Sequence, residues 1–376
     1  MRIFQYVRKF RRTQDPLIEI KISSKAILDN YRLFENEYEV PIAPVLKSNA
    51  YGHGLLEVAD ILSPITAPML VVDSIHEVQL LRGNGIYRPI LVIGYTRPEA
   101  IARNKQRNVA FTLTSLAQIK AVVESGARVS VHIKIDTGMR RQGIVPQEID
   151  DAIRLLKESN VSVEGICSHF ADADGETDVF TRSQIALWNA LVPQWQSAFP
   201  SLGYWHLAAT AGSAFAKEVD ANMVRLGTGM YGFPRHPSQT FGLRPALSMH
   251  SLITGVKDLA PGEHVGYNCT FTAEKPVRIA TVPVGYFEGV DRRLSNKGAM
   301  TVEGVACPII GRVSMNISTI DVTNCPTVKL ETPVTVFSNK SEDPNSLVKF
   351  ADMCNTTPLE LLVHIPQHLR RVVVNT

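Results

Sequence analysis

Residues 41–54 read PIAPVLKSNAYGHG, and they set a cation, Lys47, at the end of an apolar run. Lysine is almost never fully buried unless it has a partner. Lys47 therefore either reaches solvent or does chemistry. Further along, the same succession recurs: an apolar, β-branched run and then a helix-like stretch. The other runs are PMLVVDS from 68, PILVIGY from 89, VAFTLTS from 109, RVSVHIKID from 128, SVEGICSHF from 162, WHLAAT from 205 and MVRLG from 223. Intervening segments such as SIHEVQLLRGNG and SLAQIKAVVESGA carry apolar residues at helical spacing and end near a glycine. Near-continuous apolar strands alternating with helices indicate a parallel sheet covered by helices. Eight such units point to an α/β fold of the (β/α)8 TIM-barrel type. A doubly wound sheet fits the same pattern, because strand order is not written in one sequence.

The chain has 376 residues, enough for a barrel and a smaller second domain. Near residue 245 the character changes. LSMHSLITGVKDLAPGEHVGYNCTF, VRIATVPVGY, AMTVEGVACPIIGRV, ISTIDV and TPVTVFS are strand-like runs separated by turn residues. One helical stretch, PNSLVKFADMCN, follows them, and then a tail. The expected organisation is a basic extension over 1–15, a barrel over 16–244 and a β-rich domain over 245–376.

Apolar content of 45% and charged content of 20% are globular values. A net charge of +3 argues against a dedicated nucleic-acid surface, which needs a concentrated basic patch. No apolar run has bilayer-spanning length. Five scattered cysteines without a CxxC pair read as reduced thiols of a cytoplasmic protein. The opening MRIFQYVRKFRRTQDP is basic but lacks the apolar core of a signal peptide. The histidines show no ligand spacing, so no metal is expected.

Barrel enzymes build their sites at the C-terminal ends of the strands. Here those ends carry Lys47, Asn49 and Tyr51; Lys134, Asp136 and Arg141; His169; Thr210; and Arg225, running into GTGMYG. Singly, each has a bland explanation: a solvated lysine, a core histidine, a short glycine turn. Together they describe a mouth with a lysine, two arginines, a histidine and a glycine-rich turn able to hold an anion. A lysine beside a phosphate cradle suits pyridoxal phosphate (PLP), an aldehyde held by a Schiff base and a phosphate.

VLKSNAYGHG resembles the PLP-lysine signature of the alanine racemase family. KIDTGMRRQG, SHFADAD, RLGTGMYG, VGYNCTF, VPVGYFEGV and GRVSMN follow in that family's order. The resemblance implies a barrel followed by a β domain, PLP as cofactor, and a cytoplasmic homodimer with shared sites. The implied reaction interconverts L- and D-alanine and supplies D-alanine for peptidoglycan. It also implies roles. Lys47 is similar to the Schiff-base lysine and first base, and Tyr267 to the second base, delivered from the other subunit. Arg225 matches the arginine facing the pyridine nitrogen, and His169 the residue joining it to the tyrosine. Tyr51, Thr210, Gly227 and Thr228 match phosphate-holding positions. Arg141 and the backbone of Met315 match groups that approach the substrate. Lys134 matches a lysine often carbamylated, and Asp174, Arg292, Arg312 and Asn316 fall near the expected entrance.

Two bases on opposite faces of Cα avoid swinging one base between faces. Arginine stays protonated, so opposite the pyridine nitrogen it would leave that nitrogen unprotonated and the ring a weaker electron sink. A PLP decarboxylase would not clamp the carboxylate it expels, and a PLP carrier would lack the β domain. Ala209-Thr210, Met315-Asn316 and a tail with Gln367 in place of a tyrosine depart from the family pattern. They leave a broad-specificity, serine or basic amino-acid racemase as the alternative.

Overall fold

A computed structural model describes residues 16–376, so the basic extension lies outside the described residues. The chain divides into two units, one of Ser23–Ala246 with Asn375–Thr376 and one of Leu247–Val374 with residues 16–22. Strand β1 (Glu19–Ser23) differs from the sequence reading, which gave residues from 16 onward to the barrel. It pairs antiparallel with β10 (Leu247–Leu252), Ile20 opposite Met249 and Ile22 opposite Leu247. Its alternation of buried and half-buried residues suits a sheet with one covered face, not a barrel strand.

The barrel unit opens with the helix Ser24–Tyr38, capped by the Ser23 side chain on Ala26 N–H. Its strands are β2 (Ile42–Pro44), β3 (Leu70–Val72), β4 (Ile90–Val92), β5 (Val109–Leu113), β6 (Ser130–Lys134), β7 (Ser162–Cys167), β8 (Tyr204–His206) and β9 (Val224–Leu226). One falls in each run read from the sequence. β3 to β8 pair parallel in chain order, and β2 pairs parallel with β9. The ring closes on both sides. Leu46 N–H reaches Val71 O across β2 and β3, and Asn222 N–H reaches Trp205 O beside β8 and β9. The doubly wound alternative is thereby excluded. Ala43, Val45, Met69, Val71, Leu91, Ala110 and Met223 form one buried apolar cluster. The helix Ile75–Gly83 starts on a capping box of Ser74 and Glu77, and Leu116–Glu124 on the cap of Ser115.

The second unit is built from β strands, as its turn-punctuated sequence indicates. Its six-stranded sheet runs β16 (Val305–Pro308), β15 (Ala299–Val302), β18 (Pro333–Phe337), β10, β1 and β19 (Arg370–Val374). A three-stranded sheet runs β11 (Gly255–Leu259), β14 (Val277–Val282), β17 (Ser318–Asp321), and β12 (His264–Val265) pairs with β13 (Phe271–Thr272). The expected helix appears at Leu347–Cys354. A second, Pro358–Val363, and strand β19 occupy what reads as a tail in the sequence. All five cysteines are free thiols, and among the described residues no helix is long and apolar enough to cross a membrane.

Candidate active site

Lys47 follows β2 at the C-terminal end of the barrel, and the chain after it turns in the wrong hand. Ser48, Asn49, Ala50 and Tyr51 all have φ between 51° and 56°, a left-handed turn made without glycine. Left-handed backbone costs an L-residue about 1–2 kcal/mol. Identifiable bonds hold it. Ser48 N–H donates to Glu77 Oε1 at 2.7 Å, Leu55 N–H to Asn49 Oδ1 at 3.0 Å, and Ala50 N–H to Leu46 O at 2.8 Å. The other Glu77 oxygen accepts Asp73 N–H at 2.7 Å and Ser74 N–H at 3.1 Å. Glu77 is buried and spends its carboxylate on the backbone that presents Lys47. Strain kept in place by its surroundings is a feature of functional sites.

Arg225 sits on β9, buried inside the barrel mouth with 6% of its surface exposed. Its Nη1 donates to His206 Nδ1 and, at 3.1 Å, to His206 O. Its Nη2 donates to Ser168 O at 2.8 Å, Leu207 O at 2.9 Å and His169 Nδ1 at 3.2 Å. These bonds use the four Nη hydrogens and leave Nε–H without a partner among the described residues. A guanidinium has donors only, so whatever meets Nε must be an acceptor.

Basic groups gather round it. Burial lowers the Lys134 ammonium below its ordinary range, and the charges of Arg225, Arg141 and Lys47 press the same way. His169 is held well below the ordinary imidazole range by burial and then by Arg225, Lys134, Arg141 and Lys47. Lys47, Lys134, Arg141, His169 and Arg225, expected together from the sequence, thus share one neighbourhood. That concentration of positive charge calls for anions.

A cradle for one lies at the GTGMYG turn. Gly227 and Thr228 N–H have no hydrogen-bond partner among the described residues, and the buried Thr228 hydroxyl has none either. A Cβ on Gly227 would lie 2.7 Å from the Tyr51 hydroxyl, so only glycine leaves this space open. Thr210 Oγ1 accepts Gly229 N–H at 3.2 Å and keeps its own proton to donate. Burial raises Tyr51 to about 12 against the pull of Arg225, so its hydroxyl is a donor. Two amides and three hydroxyls from Tyr51, Thr210, Gly227 and Thr228 fit a phosphate. The Lys47 amine and the Arg225 Nε–H fit the aldehyde and ring nitrogen of the same cofactor.

Asp174, expected near the entrance, is ion-paired with Arg235 within the barrel unit. In the β unit, Tyr267 is 65% exposed, in a turn where Gly266, Asn268 and Cys269 all have positive φ. Met315 is exposed; its carbonyl accepts Phe287 N–H at 2.9 Å. Asn316 donates its amide to the buried Glu288 carboxylate at 2.6 Å. Arg292 lies over the Tyr286 ring, 5.9 Å from its centroid. Gly266 lies against the backbone of Arg312. In the tail, the His368 ring, next to Gln367, stacks on Phe287 at 5.3 Å.

Three residues escape the sequence reading: Glu77, His206 and His132. The signal for the histidines is an imidazole inside an otherwise apolar barrel strand, VHIKI and YWHLA. Glu77 reads as a helix cap, which it also is.

The fold and this constellation define a barrel enzyme with a strained lysine turn and an anion cradle at its mouth. The chain matches the alanine racemase N-terminal domain over residues 22–234 and the alanine racemase C-terminal domain over 246–373. It is 33% identical over 345 residues to an alanine racemase of Methanococcus maripaludis, covering 89% of this chain and 92% of that one. Its structure matches an alanine racemase of Clostridium difficile 630 with a TM-score of 0.88 at 29% identity, over 96% of this chain and 97% of that one. A histidine racemase from Leuconostoc mesenteroides subsp. sake matches with a TM-score of 0.85 at 26% identity, over 96% of this chain and all of that one. The chain belongs to the alanine racemase family.

Proposed function

We propose that this chain is a PLP-dependent alanine racemase acting by two bases. The observation that carries the reading is the pairing of Lys47, on its left-handed turn, with a buried arginine whose Nε–H is unspent among the described residues. PLP, when bound, supplies an aldehyde that joins amines and a ring that draws electrons from Cα. The rest is the work of the chain. The cradle of Tyr51, Thr210, Gly227 and Thr228 holds the phosphate. Arg225 Nε–H, a donor only, would meet the ring nitrogen in its unprotonated form. Lys47 Nζ exchanges a proton with one face of Cα, and Tyr267 Oη, from a second copy of the chain, with the other. Arg141 meets the substrate carboxylate, and the backbone of Met315 approaches the substrate.

Lys134 is proposed as a carbamate. Burial favours its neutral amine, the form that attacks carbon dioxide; the new N–C bond forms as a proton leaves. The product is an anion suited to Arg141. The protein works as a homodimer in the cytoplasm, supplying D-alanine for peptidoglycan. Exposed Tyr267, Tyr286, Phe287, Met315 and Ile317 on the β unit support a partner surface.

The test mixes two variants, Lys47→Ala and Tyr267→Phe. Each alone should lack alanine racemisation, and hybrid dimers should regain it, since one of their two sites is intact. Lys47→Ala should also lose the visible band of bound PLP. Wild-type protein without that band, or without D-alanine formation from L-alanine, would refute the reading. A broad-specificity, serine or basic amino-acid racemase is the second reading, favoured by the histidine racemase likeness. Turnover of L-alanine, L-serine, L-lysine and L-histidine decides between them.

A further inference from the structure

We infer that His132, which touches neither cofactor nor substrate in the reading above, is a positioning residue that acts through His206 on Arg225. The inference rests on that reading for its effect on PLP but not for its geometry. Arginine can only donate. Arg225 Nη1 meets His206 Nδ1, so that nitrogen accepts and His206 carries its proton on Nε2. The His206 Nε2–H then meets His132 Nδ1 at 2.9 Å, which must also accept. The His132 proton is therefore on Nε2. One end of the chain dictates the tautomer of both rings.

The fold makes room for this arrangement. The β6–β7 ladder shifts register between Val131 and His132, so that His132 faces Gly165 and Glu164 is the extra residue. A bulge of this kind re-aims a side chain. A Cβ on Gly165 would lie 2.6 Å from both Nδ1 and Cε1 of His132, so a larger residue would displace the ring. The Tyr204 ring stacks on its face, 5.8 Å away and tilted by 19°. His132 Nε2 has no partner among the described residues, although the ring is fully buried. A buried polar group left unsatisfied asks for an explanation. Here it is the acceptor on the other side of the ring. Without it, His206 Nε2–H would be orphaned too, and His206 would be free to turn away from Arg225. The guanidinium would then lose one of the bonds that aim its Nε.

Three variants of the full-length holoenzyme separate polarity from bulk. His132→Phe keeps a ring without an acceptor. His132→Asn puts an amide oxygen near the place of Nδ1. Gly165→Ala displaces the ring and removes no polar atom. We expect His132→Phe and Gly165→Ala to lower kcat and weaken PLP retention, each about tenfold, with KM little changed; one unmade buried hydrogen bond has that size. His132→Asn should stay within about threefold of wild type. Histidine 15N NMR of the wild type should show His206 and His132 both protonated at Nε2, a readout independent of turnover. A proton on His206 Nδ1, a His132→Phe variant equal to wild type, or a His132→Asn variant as impaired as His132→Phe would overturn the inference. Failure of wild type to bind PLP would instead sink the functional reading and leave the tautomer result standing.

Discussion

Replacing Glu77 by glutamine tests whether the lysine turn is held from outside. The carboxylate accepts three backbone N–H groups: Ser48 at 2.7 Å on one oxygen, Asp73 at 2.7 Å and Ser74 at 3.1 Å on the other. An amide has one oxygen. Its best placement keeps Asp73 and Ser74 and turns its NH2 toward Ser48 N–H, so two donors face each other. The loss is one bond to a charged acceptor, about 1.5–3 kcal/mol, with a buried amide left over. Four left-handed residues, each costing about 1–2 kcal/mol, stand ready to relax once released. That strain is common to both forms, so the lost bond and the orphaned amide set the local destabilisation, about 2–4 kcal/mol. Hydrogen exchange read by mass spectrometry over residues 47–55 should therefore speed up about 30-fold or more in Glu77→Gln. Ser48→Gly should act in the opposite direction. Ser48 is exposed at φ 55°, and glycine adopts that conformation without the side-chain clash. Exchange within about threefold of wild type in Glu77→Gln would show that the turn holds itself, and the assignment of Glu77 would fail.

Gly227→Ala should weaken PLP binding by at least about tenfold in a fluorescence titration, because its Cβ would lie 2.7 Å from the Tyr51 hydroxyl. Unchanged affinity would place the phosphate elsewhere. Burial lowers His132 from 6.5 to about 3 in the fold, with Arg225 adding to the shift. The unfolded chain then binds the extra proton below pH 6.5, so this stability is present above that pH and is lost as pH falls toward 3. By pH 5 the loss from His132 alone is about 2 kcal/mol, and stability curves of His132→Asn should slope less over this window. Asn316→Asp would set a second carboxylate against Glu288, where the amide now donates at 2.6 Å. It should cost about 1–3 kcal/mol near neutral pH and less at pH 5, seen as a thermal midpoint that recovers on acidification.

The eight barrel strands were legible because most are short runs buried along nearly their whole length, and local composition records burial. The helices in SIHEVQLLRGNG and SLAQIKAVVESGA were legible for the same local reason, since their apolar spacing is written in neighbouring residues. Asn316 read from the sequence as a departure from the family pattern near the entrance. The structure shows its amide bonded to a buried carboxylate 28 residues away.

By itself, then, the sequence determined the alternation of strand and helix, the β-rich second half, and which chemical groups stand at the strand ends. Tertiary structure alone decided that β1 joins the β sheet, because a strand's partner is chosen by hydrogen bonds over more than 200 residues of chain separation. It also decided the hand of the turn after Lys47, for Ser-Asn-Ala-Tyr has no intrinsic preference for positive φ and takes it only under the bonds of Glu77 and Asn49. And it decided the line from Arg225 through His206 to His132, whose direction is set by an arginine that can only donate, at contacts that no local pattern encodes.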